Sequence, residues 1–184
     1  MPSQKPDKSK LLKAVRSLLN TLDIRVPETD RRVTEMYLEL LSGKFSKPPK
    51  MTTFKNPGYD QIILIRDIDF VSICEHHLLP FYGRAHFAYL PKDYIVGLSK
   101  VPRAVRYFAL REQTQERLTQ QIADFLYEKI KPRGLMLIVQ ATHTCATLRG
   151  VKSPARMVTS ALRGEFLKDA DLKEEVLKLL WHSE

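Results

Sequence analysis

The 184-residue chain has only two cysteines and one tryptophan. Two thiols allow at most one disulfide, which excludes a disulfide-stapled scaffold. There is no run of about 18 apolar residues, so no membrane-spanning helix is expected. The opening MPSQKPDKSK has no apolar stretch and is not expected to act as a secretory leader. Lipidation motifs, internal repeats and low-complexity segments are absent as well. Lys/Arg tracts of the nucleic-acid-binding kind are missing, and so is the interleaved aromatic pattern of an RNA-binding sheet. The expected setting is a reducing cytoplasm, with neither nucleic acid nor membrane as a partner.

Both cysteines lie beside histidines. Cys74-Glu75-His76-His77 and His143-Thr144-Cys145 take up both thiols and three of the five histidines. Thiolate and imidazole are the donors that zinc favours. Cys74 and His77 fall where a strand enters a loop, which lets them converge. His143 and Cys145 are two apart at a strand end, so they are expected to share one face. Spacing alone leaves three readings open. The site is a catalytic zinc held by Cys74, His77 and Cys145 with a place for water, or a structural zinc closed by His76 or His143. In the third reading the cysteines are simply buried without a metal. A zinc deaminase is disfavoured, because H-x-E followed by P-C-x-x-C does not occur.

At 43% hydrophobic residues the chain can bury an ordinary core. Two amphipathic helices are expected over residues 9–20 and 29–42, the second capped by Thr29 or Asp30 and ended by Gly43. Residues 44–58, rich in Lys and Pro, read as a linker. Residues 1–58 thus form a helical arm with its linker, and 59–184 form the core domain. In that core, Ile62, Leu64, Ile68 and Phe70 alternate along a first strand, and Ala85, Phe87 and Tyr89 along a second. Helices start near Ser99 and Thr114. A strand running to His143 is apolar on both faces and should be central. A further strand and a last helix complete the order β-β-α-α-β-β-α.

The formal net charge is +9. Lys100, Arg103 and Arg106 share a face near the start of one helix, where unpaired N–H groups suit phosphate. A merely solvated basic face fits the same pattern. Arg149 follows Cys145 by four positions and brings a cation to the metal segment. Glu116 lies off its helix's apolar stripe. Periodicity makes it an exposed acid; chemically it can accept two parallel N–H donors.

Four segments together resemble one family. They are C-E-H-H at 74–77, G-L-S-K-x-x-R at 97–103, Q-E-R-L-T-Q-Q at 115–121 and H-x-C-x-x-x-R-G at 143–150. In this order and spacing the chain is similar to GTP cyclohydrolase I, over about residues 62–166, with a weaker match at 29–37. The resemblance implies an α+β tunnelling fold: a ββααββ core, an antiparallel sheet with helices on one face, and an N-terminal helical arm. It also implies assembly into a barrel-forming homo-oligomer, a decamer with active sites at subunit boundaries. Cys74, His77 and Cys145 would bind one zinc ion per subunit. His76 would protonate the purine's imidazole ring, and His143 would move protons later. Ser99 would lie near the ribose. Glu116 would hold the guanine edge with Gln115 beside it, and Lys100, Arg103, Arg149 and Arg32 would hold the triphosphate. The implied reaction opens GTP at C8 with zinc-activated water and releases formate. It ends at 7,8-dihydroneopterin triphosphate, the entry to folate or biopterin synthesis.

The chain departs from the family pattern in two places. The usual T-P-x-R-x-A-K-M-Y reads T-D-R-R-V-T-E-M-Y, which keeps Arg32 but puts Glu35 where a lysine is usual. The Ser/Thr-rich run after R-G is thinned to SPARMVTS. Other readings are a relative of the same fold with a shifted nucleotide or pterin substrate, and a non-catalytic zinc module. A nitrile reductase relative would need a nicotinamide cofactor, and a pyruvoyl-tetrahydropterin synthase relative would bind zinc through three histidines. The paired Cys/His segments argue against both.

Overall fold

The computed structural model describes residues 6–181. Residues 1–5, half of the opening segment read as leader-free, lie outside the described residues. The elements in chain order are α1 (Lys8–Thr21), α2 (Thr29–Leu40), α3 (Ser42–Phe45), β1 (Thr53–Lys55), β2 (Ile63–Cys74), β3 (Pro80–Leu90), β4 (Tyr94–Val96), α4 (Lys100–Ala109), β5 (Glu112–Gln113), α5 (Gln115–Ile130), β6 (Gly134–His143), α6 (Thr144–Thr147), β7 (Arg156–Gly164) and α7 (Ala170–Trp181).

The arm is built as its amphipathic pattern requires, but its ends differ from expectation. Neither Thr29 nor Asp30 caps α2. Glu28 takes the cap position in a left-handed conformation, φ 66°. Asp30 instead accepts two hydrogen bonds from Arg16 and so ties α2 to α1. Nor does Gly43 end α2; it lies in the turn α3. A Cβ at Gly43 would stand 2.1 Å from the Tyr107 carbonyl oxygen, so glycine is needed there for close approach to the core. The segment read as a linker carries β1, which pairs antiparallel with β4.

The main sheet has the order β5-β2-β3-β6-β7. Every pairing is antiparallel except that of β5 with β2. β6 has neighbours on both sides, as its two apolar faces demand. α4 and α5 cover one face. Val101, Ala104 and Val105 of α4 and Leu118, Ile122 and Leu126 of α5 are fully buried in one core with Ala85, Phe87 and Tyr89.

The structure differs from expectation in two respects. Helices do not cover one face only, because Val176 and Leu180 of α7 pack with Ile62, Ala88, Leu90, Met136 and Ile138 on the other. That patch is too apolar to leave in water. The alternation along β2 also breaks. Its register slips between Ile65 and Ile68, at Asp67 with φ 58°. One inserted residue exchanges the faces. Ile65 therefore joins Ile68 and Phe70 in the helix-covered core, while Ile62 and Leu64 face α7. Among the described residues no helix is long and apolar enough to cross a membrane.

Candidate active site

Cys74, His77 and Cys145, three side chains that could hold a metal ion, come together at one end of the sheet. Cys74 is the last residue of β2, and β5 pairs beside it. The following turn closes on itself: Leu78, left-handed at φ 54°, donates its N–H to the Cys74 carbonyl at 2.9 Å. The Cys74 N–H donates to Leu79 O at 2.8 Å. Arg117 at the start of α5 pairs with Glu75 and holds the turn from the side.

Cys145 arrives by a different route from the one expected. β6 stops at His143, and 144–147 form the single helical turn α6. His143 and Cys145 therefore do not share a strand face. The Thr144 hydroxyl donates to Pro80 O at 2.5 Å, pinning α6 to the start of β3. Cys145 then faces Cys74. Periodicity gives no signal for this role of Thr144.

The sulfurs of Cys74 and Cys145 are 3.9 Å apart, and Cys74 Sγ lies 3.8 Å from His77 Nδ1. One ligand atom from each of Cys74, His77 and Cys145 falls within 4.8 Å of the others. Zinc–sulfur bonds of about 2.3 Å and zinc–nitrogen bonds of about 2.1 Å at tetrahedral angles put donors roughly 3.5–3.8 Å apart. The donor set and its spacing fit zinc. Burial and the adjoining Cys74 sulfur raise the Cys145 thiol pKa, while Arg149 lowers it. Two neighbouring thiolates repel, and a divalent cation relieves that repulsion.

The two remaining histidines stand apart from the ligand set. His76 is exposed, with Nδ1 3.8 Å from Cys74 Sγ. His143 stacks on buried Phe81, ring centroids 4.6 Å apart and planes 5° from parallel. Its Nε2 meets Gln115 Oε1 at 2.9 Å. Burial pushes the His143 pKa down, and Glu116 pulls it up. Neither ring belongs to the three-donor group, so neither closes it.

Gln115 does not point outward with Glu116. It is 1% exposed, and its amide nitrogen donates toward Val139 O, Met157 O and Thr159 Oγ1. Glu116, the next residue, is exposed and has no ion pair among the described residues. Arg149 lies in the exposed loop after α6, close enough to act on Cys145.

The remaining cations lie elsewhere. β3 pairs with His143 at Phe81 and with Leu135 at Tyr89. The Tyr89 hydroxyl accepts from Val96 N–H, so β4 and the start of α4 lie at that far end. Phe81 to Tyr89 spans about 27 Å at about 3.4 Å per residue. Ser99, Lys100 and Arg103 are thus at the opposite end of the subunit from the sulfurs, joined to them by the length of α4. Arg32 is exposed on α2, in the arm. Among the described residues Arg32, Lys100, Arg103 and Arg149 form no ion pair, whereas Glu35 is occupied by Arg31 and Lys8. One chain therefore gathers Cys74, His76, His77, Gln115, Glu116, His143, Cys145 and Arg149, but not Ser99, Lys100 or Arg103.

The chain is similar to known proteins in fold and in sequence. In fold, the chain is similar to the crystal structure of the archaeosine synthase QueF-Like in the apo form. The TM-score is 0.50 at 12% identity, covering 58% of this chain and 96% of that one. That likeness concerns architecture alone. In sequence, it is 46% identical over 180 residues to the GTP cyclohydrolase 1 of Aquifex aeolicus, covering 95% of this chain and 97% of the relative. The GTP cyclohydrolase 1 of Carboxydothermus hydrogenoformans is 42% identical over 184 residues, with 96% of each chain covered. That of Bacillus pumilus is 47% identical over 156 residues, 83% of this chain and 82% of the relative. The model of the family described as GTP cyclohydrolase I matches residues 9–181, so the chain belongs to the GTP cyclohydrolase I family.

Proposed function

We propose that this chain hydrolyses GTP at purine C8, releases formate and forms 7,8-dihydroneopterin triphosphate. The observation that carries this reading is the convergence of Cys74, His77 and Cys145 in a member of this family. Cys74, His77 and Cys145 would hold a zinc ion, which would supply activated water at neutral pH, since a water bound to such a site has a pKa of about 7. The other residues bind, orient and move protons.

Purine C8 is a poor electrophile until its imidazole nitrogen gains a proton. His76 is exposed next to ligand His77 and can supply that proton. His143, whose pKa burial lowers, can accept protons in the later steps. The exposed Glu116 carboxylate can take the two parallel N–H donors of a guanine edge. Arg149 supplies positive charge beside the metal end for the triphosphate.

Lys100, Arg103 and Ser99 serve this substrate only if a second copy brings its α4 start to the metal end of the first. Arg32 on the arm would join the same phosphate-binding set. The working unit we propose is therefore a homo-oligomer whose subunits share sites, with the sheets assembled into a barrel. Exposed Val71, Tyr82 and Val158 on the sheet are apolar surface that such an assembly would cover. A cytoplasmic setting and entry to folate or biopterin synthesis complete the proposal. Residues 1–58 would act as an assembly arm and 59–184 as the catalytic domain.

The test is direct. Zinc-loaded protein is incubated with GTP, and formate and the fluorescent neopterin formed by oxidation are measured. Both products are expected in equal amounts; neither appearing from an assembled, metal-replete sample would reject the reading.

A further inference from the structure

We propose that Gln115 is a positioning residue that fixes His143 in the tautomer carrying its hydrogen on Nε2, leaving Nδ1 as the ring's acceptor. The importance of this for turnover rests on the proposed function; the tautomer itself does not.

Gln115 Nε2 lies 3.0 Å from Val139 O and 3.1 Å from Met157 O. Carbonyl oxygens only accept, so the nitrogen of the amide must face them. A flipped amide would set oxygen against two oxygens. The strands β6 and β7 therefore dictate which end of Gln115 is which.

The remaining end, Oε1, lies 2.9 Å from His143 Nε2. An amide oxygen can only accept, so His143 Nε2 must carry the hydrogen. In a neutral ring Nδ1 is then unprotonated. Nδ1 has no protein partner among the described residues, and it is not among the buried atoms left without one, so solvent reaches it. Phe81, fully buried, stacks on the ring and leaves it little freedom to turn.

The Gln115 side chain is itself locked. Thr159 Oγ1 lies 3.1 Å from its nitrogen and 2.7 Å from Thr119 Oγ1, and the Thr119 hydroxyl donates to Gln115 O at 2.7 Å. With every polar group occupied and 1% exposure, Gln115 has nothing left to offer a substrate. This departs from the expectation that it lies beside Glu116 on the guanine edge. Glu116 faces out; Gln115 acts inward, through His143.

Three measurements test this. In nitrogen-15 spectra of histidine-labelled parent protein, metal-free and zinc-loaded, the His143 signals are assigned by their loss in His143→Ala. They should show hydrogen on Nε2; hydrogen on Nδ1 alone overturns the proposal without any Gln115 variant. In Gln115→Ala, kcat for GTP should fall about 10- to 100-fold with KM within about threefold of the parent. A raised KM with kcat retained would instead make Gln115 a substrate ligand. Finally, adding Gln115→Ala to His143→Ala should cost no further kcat. An equal fall in both backgrounds would reveal a general structural lesion and overturn the assignment. GTP turnover by the parent tests the functional reading separately, so the two can fail independently.

Discussion

The sulfurs of Cys74 and Cys145 stand 3.9 Å apart although 71 positions separate them in the chain. They are free thiols, and their spacing suits one shared ion rather than a disulfide. Cys145→Ser should therefore lose zinc and GTP turnover together, as read by metal analysis and formate release. Thr144→Val removes only the anchor of α6 to Pro80 and should weaken zinc binding about 10- to 100-fold. A serine variant that retained stoichiometric zinc would exclude Cys145 as a ligand.

His76→Ala should behave in the opposite way. His76 lies outside the three-donor group, so zinc content should match the parent. Formate release should fall about 100-fold or more, the usual scale for removing a general acid. Formate produced at the parental rate would remove His76 from the mechanism.

Glu116→Gln keeps shape and exposure but replaces one acceptor oxygen by a donor. Guanine recognition should weaken, raising the GTP dissociation constant about tenfold or more, the loss expected when one charged hydrogen-bond partner is spoiled. Zinc content should not change. Unaltered GTP affinity in a calorimetric titration would move the guanine contact elsewhere.

How far the sequence spoke depends on the residue. The convergence of Cys74, His77 and Cys145 was legible because few residue types suit zinc, so two short segments sufficed to single them out. The route of Cys145 was not, because one hydroxyl, that of Thr144, decides where β6 stops and α6 begins. The stripes of α4 and α5 followed from helical periodicity. The phase of β2 did not, because the bulge at Asp67 adds a residue that no alternation rule anticipates. Gln115 beside Glu116 looked like a pair of ligands; one helical step of about 100° turns the first into the core and the second into solvent. The distance from Lys100 to the sulfurs could not be read at all, since it depends on which end of the sheet α4 starts from.

The Asp67 bulge also has a titratable partner. The Asp67 N–H donates to His86 Nδ1 at 3.2 Å, and His86 is 6% exposed. Burial lowers its pKa from 6.5, opposed by Asp67 and aided by Arg84 and Arg66. Above pH 6.5 both folded and unfolded chains hold a neutral imidazole and the contribution to stability is complete. Below it the unfolded chain binds a proton that the folded one resists, so stability falls with pH. Urea midpoints should drop as pH is lowered from about 7.5 to about 5.5, and less steeply in His86→Gln, which keeps an acceptor without titrating. Equal slopes would assign the dependence to other groups.

The separation of Lys100 from Cys74 within one subunit gives the sharpest test of shared sites. Lys100→Ala should assemble and bind zinc normally yet turn over GTP poorly, because the triphosphate loses a cation. Cys145→Ser should assemble yet lack zinc. If each site takes its metal from one subunit and its Lys100 from another, co-expressing the two inactive variants makes some sites with both parts intact. Random mixing in equal amounts restores about a quarter of the sites, since each of two independent contributions is sound in about half of the subunits. Mixed oligomers should therefore recover about a quarter of parental formate release, well above either variant alone. No recovery from demonstrably mixed oligomers would mean that each chain completes its own site. Lys100 would then leave the phosphate-binding set, since it stands at the far end of the sheet, about 27 Å from the sulfurs at about 3.4 Å per residue.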